Sequence, residues 1–223
     1  MNEPTRPLPA LVWDMGGIMY RYFTELLIDR AAAHGWPTVA LGPTGSLPDP
    51  DYDAQLRGDI DESDYLALVR GRLASVGVEI DPVTAFDFTE ERRPATWALI
   101  EELHAAGHPQ ALLTNDASKW LGAAWWETWE PVAWFDAIID VAVLGVRKPA
   151  PEPFLAAAAE LGVEPSDCIF VDDMDVNCAG AEAVGMRSHL FDITAPEHAI
   201  RVLRHRLGRE PSVTTRGTDH QRP

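Results

Sequence analysis

Leu11-Val12-Trp13-Asp14-Met15-Gly16-Gly17 decides the fold, because an apolar run suited to a short strand ends in a carboxylate and then in a Gly-Gly turn. A second run, Ile169-Phe170-Val171, ends in the same way at Asp172 and Asp173. Two strands that each end in an acid suggest one parallel sheet, and open α/β sheets place ligands at the carboxyl ends of their strands. Acids delivered there converge on one edge, as a metal-assisted site requires. Two residues after Asp14, where a second acid would serve proton transfer, the chain has Gly16.

Outward from Asp14, the next clear strand, Gln110 to Thr114, comes only after about a hundred residues, beyond the usual size of a crossover. The gap therefore holds an insertion. Within it, Phe23 to His34 has helical spacing, Gly35 to Pro50 is a Gly- and Pro-rich loop, and Glu62 to Ser75 is an amphipathic helix begun by Asp61. Residues 21–93 are read as a small helical cap. From Pro94 the alternation is regular. Helices are expected at Thr96–Ala106, Ser118–Trp126, Pro151–Leu161, Val176–Val184 and Glu197–Leu207, and strands at Ala137–Val141, Cys168–Val171 and Arg187–Phe191. The expected fold is a doubly wound α/β domain with a five-stranded parallel-sheet core, residues 1–20 and 94–207, carrying the inserted cap. Residues 208–223 have too few apolar side chains to pack and are read as a disordered tail.

Composition restricts the partners. With 46% hydrophobic and 24% charged residues, the 223-residue chain is of globular type. Its 35 acids against 18 Lys and Arg give a formal charge of -17, which disfavours nucleic acid and anionic membranes, so handling phosphate would need a cation at the site. The two cysteines, Cys168 and Cys178, suggest buried reduced thiols rather than a disulfide framework. The first residues lack signal-peptide character and no stretch reaches membrane-span length, so cytoplasm is the default expectation. The chain is expected as a monomer or homodimer.

Four strand ends carry polar groups: Asp14, then Thr114 with Asn115 and Asp116, then Lys148 in GVRKPAPEPF, then Asp172 with Asp173. A carboxylate nucleophile, a hydroxyl and an amide for oxygen atoms, a lysine against negative charge and an acid pair for a hard cation together suit phosphoryl transfer. Mg²⁺ is the cation that oxygen-only ligands favour. Each residue alone has an ordinary reading as turn, helix start or solvated charge, and their joint placement at four strand ends carries the inference.

In order, VWDMGG, LLTN, RKPAPEPF and FVDDMDVNCAGA closely resemble the four motifs of the haloacid dehalogenase-like hydrolase superfamily, and the insertion after the first is similar to its helical-cap subclass. The resemblance implies Asp14 as nucleophile and metal ligand, with the Gly16 carbonyl as a second ligand. It implies Thr114 and Asn115 as holders of phosphate oxygens, Lys148 as the balance to the charge of Asp14, and Asp173 as a ligand of Mg²⁺ supported by Asp172, directly or through water. Asn177 stands where many members have a further acid, and there it positions water or Lys148. Gly17, Tyr20 and Asp116 are read as further substrate contacts for a small phosphorylated metabolite, with Arg21 and Tyr22 beside Tyr20.

Gly16 departs from the pattern. Phosphatases of the superfamily usually carry Asp there, protonating the leaving oxygen and then activating water, and such help is worth about two to four decades in rate. Three consequences stay open: a substrate with a good leaving group, such as a sugar 1-phosphate, acyl phosphate or halide; a substitute acid, such as Asp116 or a cap residue; or inefficient turnover. A sugar-phosphate phosphatase-like subgroup with Gly at this position is the most similar. A 2-haloacid dehalogenase and a catalytically impaired binding protein are the alternatives, although dehalogenases usually have an aromatic residue and a Thr around this turn and need no metal. The tryptophans at 120, 125, 126, 129 and 134 are read as core packing, with a substrate mouth or dimer contact as the competing role.

Overall fold

The structure, a computed structural model, describes residues 8–37, 49–57, 59–60, 62–80, 91–115, 117–118 and 125–209. The chain forms two compact units, one of Met1–Asp14 with Pro94–Pro223 and one of Met15–Arg93. In chain order the helices are α1 Phe23–His34, α2 Pro50–Arg57, α3 Glu62–Ser75, α4 Pro94–Ala105, α5 Trp125–Thr128, α6 Val141–Leu144, α7 Pro151–Glu160, α8 Asp175–Ala183 and α9 Pro196–Arg206. The strands are β1 Ala10–Trp13, β2 Gln110–Thr114, β3 Ala137–Asp140, β4 Cys168–Asp172 and β5 Arg187–Leu190.

All five strands belong to the first unit and pair in parallel in the order β3-β2-β1-β4-β5, the fold class that the alternation predicts. Strands β1, β2 and β4 are buried along their whole length. That burial on both faces is why their residues read as apolar runs rather than alternating ones. Val12 lies in register with Ala111 and Phe170, and these share a core with Phe154 and Ala157 of α7 and Ala181 of α8. The opposite face is covered by α4. Here the Trp13 indole N–H donates to Gln110 Oε1 at 3.0 Å, and Gln110 Nε2 donates to the Ile100 carbonyl at 3.0 Å, so each buried polar group finds a partner. Helix α9 packs on α4, with Arg204 paired to Glu102.

The sheet builds outward from β1 through β2 to β3, then returns to the other side of β1 for β4 and β5. The carboxyl ends of β1 and β4 therefore flank the switch point where such sheets bind ligands. Most boundaries lie within one or two residues of those expected. Val141, expected to finish β3, instead opens the short helix α6 while staying buried. Of the helix expected over 118–126, Ser118 is helical and a helix runs Trp125–Thr128, and residues 119–124 lie outside the described residues, as do residues 210–223 of the expected tail.

In the second unit, Leu27 of α1 and Tyr65, Val69 and Leu73 of α3 form the core, flanked by Trp36, Tyr52 and Ile60. The loop expected to end at Pro50 is followed by a helix that periodicity does not reveal, α2. Its start signals are chemical: Pro50 occupies the first helical position, and Asp49 Oδ1 accepts the Asp51 N–H at 3.1 Å. Buried Asp49 is paired with Arg72 at 2.8 Å. Backbone bonds from Arg21 to Glu91 and from Arg93 to Met19 join the two ends of this unit's chain as an antiparallel pair.

One buried histidine makes the first unit sensitive to acid. His189 Nε2–H donates to the Ala199 carbonyl at 3.0 Å, and Nδ1 has no partner among the described residues. Burial, then Arg206, depress its pKa to about 4. In the unfolded chain the imidazole titrates near ~6.5, so between the two values the unfolded state binds the extra proton. The stability that neutral His189 contributes is present above ~6.5 and is lost as pH falls toward 4. Urea unfolding between pH 7 and 4 is expected to show this loss, and His189→Gln to reduce its slope. An unchanged slope would exclude His189 as the source.

Candidate active site

The first unit brings Asp14, Lys148, Asp172 and Asp173 together at the carboxyl edge of β1 and β4. Asp14 follows β1, and its N–H donates to the Val171 carbonyl at 2.9 Å, which extends the ladder by one residue and anchors the carboxylate at the edge. Lys148 Nζ donates to Asp14 Oδ1 at 2.7 Å, Asp172 Oδ2 at 2.8 Å and the Leu113 carbonyl at 3.3 Å. Its three protons are thereby satisfied. The ammonium is buried, as are Asp14 and Asp172. Burial alone would lower the Lys148 pKa, but the charges of Asp14 and Asp172 outweigh it and raise the pKa above its ordinary value. The lysine stays a cation because its neighbours are anions.

Placing a buried lysine here requires the loop before α7 to lie close to α8. Gly180 allows this: a Cβ at that position would lie 2.5 Å from the Pro149 carbonyl oxygen and 2.9 Å from Pro149 Cβ. From the other side, the Lys148 N–H donates to Asn115 Oδ1 at 3.2 Å. Asn115 thus ties the loop after β2 to the lysine. Thr114 ends β2 in register with Asp140 and is buried.

The two acids after β4 differ in surroundings. Asp172 Oδ1 accepts the Met174 N–H at 2.9 Å, and Asn177 Nδ2 lies 3.1 Å from both oxygens of the same carboxylate. With Lys148 on Oδ2, Asp172 is held from every side. Asn177, expected to position water or Lys148, instead holds Asp172, because α8 begins at Asp175 and turns its first residues back over the strand end. Asp173 is half-buried. Carboxylate oxygens of Asp14, Asp172 and Asp173 lie within 4.8 Å of one another. In ionised form, three carboxylates against one ammonium leave two negative charges, the charge of one divalent cation, and an all-oxygen set of this kind suits Mg²⁺. The donor set fits the expected metal.

The remaining expected residues belong to the second unit or lie outside the described residues. Gly16, Gly17 and Tyr20 belong to the second unit. There Gly17 takes a positive φ of 71°, its carbonyl accepts Arg93 Nε at 2.6 Å, and Tyr20 is buried with its backbone bridged to Arg92. Half-buried Tyr22 is the tyrosine whose ring lies beside Gly16. Asp116 lies outside the described residues. Of the tryptophans, Trp129 is buried, stacked on Trp125 at 4.8 Å and on Phe135 at 5.7 Å, which is packing; Trp120 lies outside the described residues. Sequence reasoning did not find the Arg93–Gly17 bond or the pairing of Asp140 with Ser118, since neither leaves a local pattern.

Fold and cluster together define a family, and comparison with known proteins agrees. The profile of haloacid dehalogenase-like hydrolases matches residues 9–185, and the chain belongs to that family. It is similar to phosphoglycolate phosphatase of Cereibacter sphaeroides, 35% identical over 195 residues that cover 82% of this chain and 85% of that protein. It also resembles acyl-CoA dehydrogenase family member 10 of Mus musculus, 24% identical over 224 residues, and spans 91% of itself but only 19% of that longer protein. Among solved structures, a HAD-family enzyme of Bacteroides thetaiotaomicron, in complex with magnesium and inorganic phosphate, shares the fold at a TM-score of 0.50 and 19% identity, over 84% of this chain and 96% of that one.

Lys148 is expected to control the stability of this cluster. Lys148→Met leaves Asp14 and Asp172 buried without their cation, a loss of about 3–5 kcal/mol, measurable by urea unfolding at pH 7 without divalent ions. Mg²⁺ is expected to restore more stability to the variant than to the unsubstituted protein. Equal unfolding curves would show that the ammonium does not hold the cluster.

Proposed function

We propose that this chain is a Mg²⁺-dependent phosphohydrolase acting on a small phosphorylated metabolite through an aspartyl-phosphate intermediate on Asp14. The carrying observation is the carboxylate triad of Asp14, Asp172 and Asp173, of which Asp14 and Asp172 pair with one buried lysine. Mg²⁺, when held by Asp14 and Asp173, would screen the phosphate charge from the attacking carboxylate. Lys148 holds Asp14 Oδ1 in place and keeps a positive charge beside it, so the nucleophile is oriented. Thr114 and Asn115 supply a hydroxyl and an amide for the transferring oxygens. Asp172, fully engaged by Lys148, Met174 and Asn177, orients the lysine and supports the metal site, which leaves direct ligation to Asp173.

Phosphoryl transfer is favoured over halide displacement because the latter gives the triad nothing to do. The similarity to a phosphoglycolate phosphatase makes phosphoglycolate the first compound to test, followed by sugar phosphates and acyl phosphates.

Phosphate release with Mg²⁺ across this panel is expected, and Asp14→Asn is expected to abolish it. Release that survives Asp14→Asn, or none from any compound, would overturn the reading. Asp173→Asn is expected to weaken Mg²⁺ binding about 10-fold or more by calorimetry with little change in unfolding. Asp172→Asn is expected to lower stability instead. The reverse assignment would follow if Asp172→Asn alone abolished metal binding.

A further inference from the structure

Thr114 closes β2 and Asn115 follows it, and the chain that carries these two groups is fastened at two places to the segment that begins with the end of β3. At one place the Lys148 N–H donates to Asn115 Oδ1 at 3.2 Å. At the other, Asp140 Oδ2 accepts both the Ser118 N–H, at 3.0 Å, and the Ser118 hydroxyl. Asp140 is the last residue of β3 and lies in register with Thr114. Its carboxylate therefore reaches across from the neighbouring strand to the chain four residues beyond Thr114, all within the first unit.

Ser118 is helical and Asn115 is not, so the Ser118 N–H belongs to a first helical turn, where backbone donors lack a partner inside the helix. Asp140 supplies that partner from another strand, as an ionised acceptor whose hydrogen bonds are about twice as strong as neutral ones. The Ser118 hydroxyl also accepts the Trp126 indole N–H, at 2.9 Å. Indole, hydroxyl and carboxylate thus form one chain of donors that ends on Asp140. Trp126 stands edge-on to Trp125 and Trp129, at 4.8 and 5.6 Å between centroids, and buried Trp129 stacks on Phe135 just before β3. The tryptophan cluster backs the hydrogen-bond chain.

We propose that Asp140 is a positioning residue of the phosphohydrolase site: through Ser118 it fixes the turn that runs from Thr114 to Ser118, and so sets where the Thr114 hydroxyl and the Asn115 amide meet the transferring oxygens. Asp140 acts through Ser118 and not on the reacting atoms. Without the carboxylate, the Ser118 amide and hydroxyl lose their shared acceptor, and the turn can shift. A misplacement of about 1 Å in groups that position a substrate costs on the order of 100-fold in rate. The carboxylates proposed for the metal stand at the ends of β1 and β4, on other strands, so metal binding and the placing of the phosphate oxygens are separable. The proposal rests on the phosphohydrolase reading.

The test measures phosphate release from the panel of phosphate esters in Mg²⁺, beside Mg²⁺ affinity by calorimetry. Asp140→Ala removes the acceptor and is expected to lower kcat/KM about 100-fold with Mg²⁺ affinity unchanged. Asp140→Asn keeps an oxygen that can accept both Ser118 donors, and is expected to recover most of the loss. Ser118→Ala removes the hydroxyl, keeps the backbone bond and is expected to show part of the fall. Unchanged kcat/KM in Asp140→Ala, or in Ser118→Ala where the first variant does not fold, would overturn the role of Asp140. So would Asp140→Asn as slow as Asp140→Ala, or a parallel loss of Mg²⁺ affinity; each of these leaves the phosphohydrolase reading standing. Failure of the unsubstituted protein on every phosphate ester would overturn both.

Discussion

A buried ammonium between two carboxylates is the interaction on which this site depends. Lys148 reaches Asp14 at the end of β1 and Asp172 at the end of β4 with similar short bonds. Taking an ion out of water costs several kcal/mol, and only close opposite charges with complete hydrogen bonding offset that cost. Here the third proton of the lysine goes to the Leu113 carbonyl, so strands β1, β2 and β4 all contribute to one cation. Such an arrangement is an inefficient way to stabilise a fold, since apolar side chains would serve as well. What it does is fix the Asp14 carboxylate at the sheet edge.

The neighbouring residues follow from that requirement. Asn177 and the Met174 N–H complete the bonding of Asp172, and the Asn115 side chain receives the backbone N–H of Lys148. Gly180 removes a side chain that would otherwise push Pro149, and Lys148 with it, away from the sheet. Asp173 is half-buried, with a carboxylate oxygen within 4.8 Å of those of Asp14 and Asp172. Asp172 holds the lysine, and in the proposed function Asp173 is the acid that faces the cation.

The second unit has its own version of the same device. Arg93 and Glu25 form a buried pair whose hydrogen bonds go to the Gly17 carbonyl and to the backbone of Tyr22. A charged pair at the two ends of this unit's chain thereby governs the shape of the turn that follows Asp14. Because residue 16 lacks a side chain, the tyrosine ring can approach the backbone there. The absence of an acid and the presence of a ring are one packing arrangement.

Apolar runs ending in Asp14 and in Asp172-Asp173 were enough to read a parallel α/β sheet and a carboxylate edge, because burial on both faces writes itself directly into strand composition. Thr114 and Asn115 were legible for a related reason: they sit at the end of β2, where the chain order fixes the edge, and Lys148 was legible from the loop that follows the third strand. Pairings across the fold left no such trace. That Asn177 holds Asp172, that Gly180 admits Pro149, and that Tyr22 fills the space beside Gly16 depend on contacts between segments whose separation in the chain says nothing about their separation in space. Local sequence determined which chemical groups reach the edge; tertiary packing decided which group each one holds, since hydrogen bonds and van der Waals exclusion act over a few ångströms that only the folded chain defines.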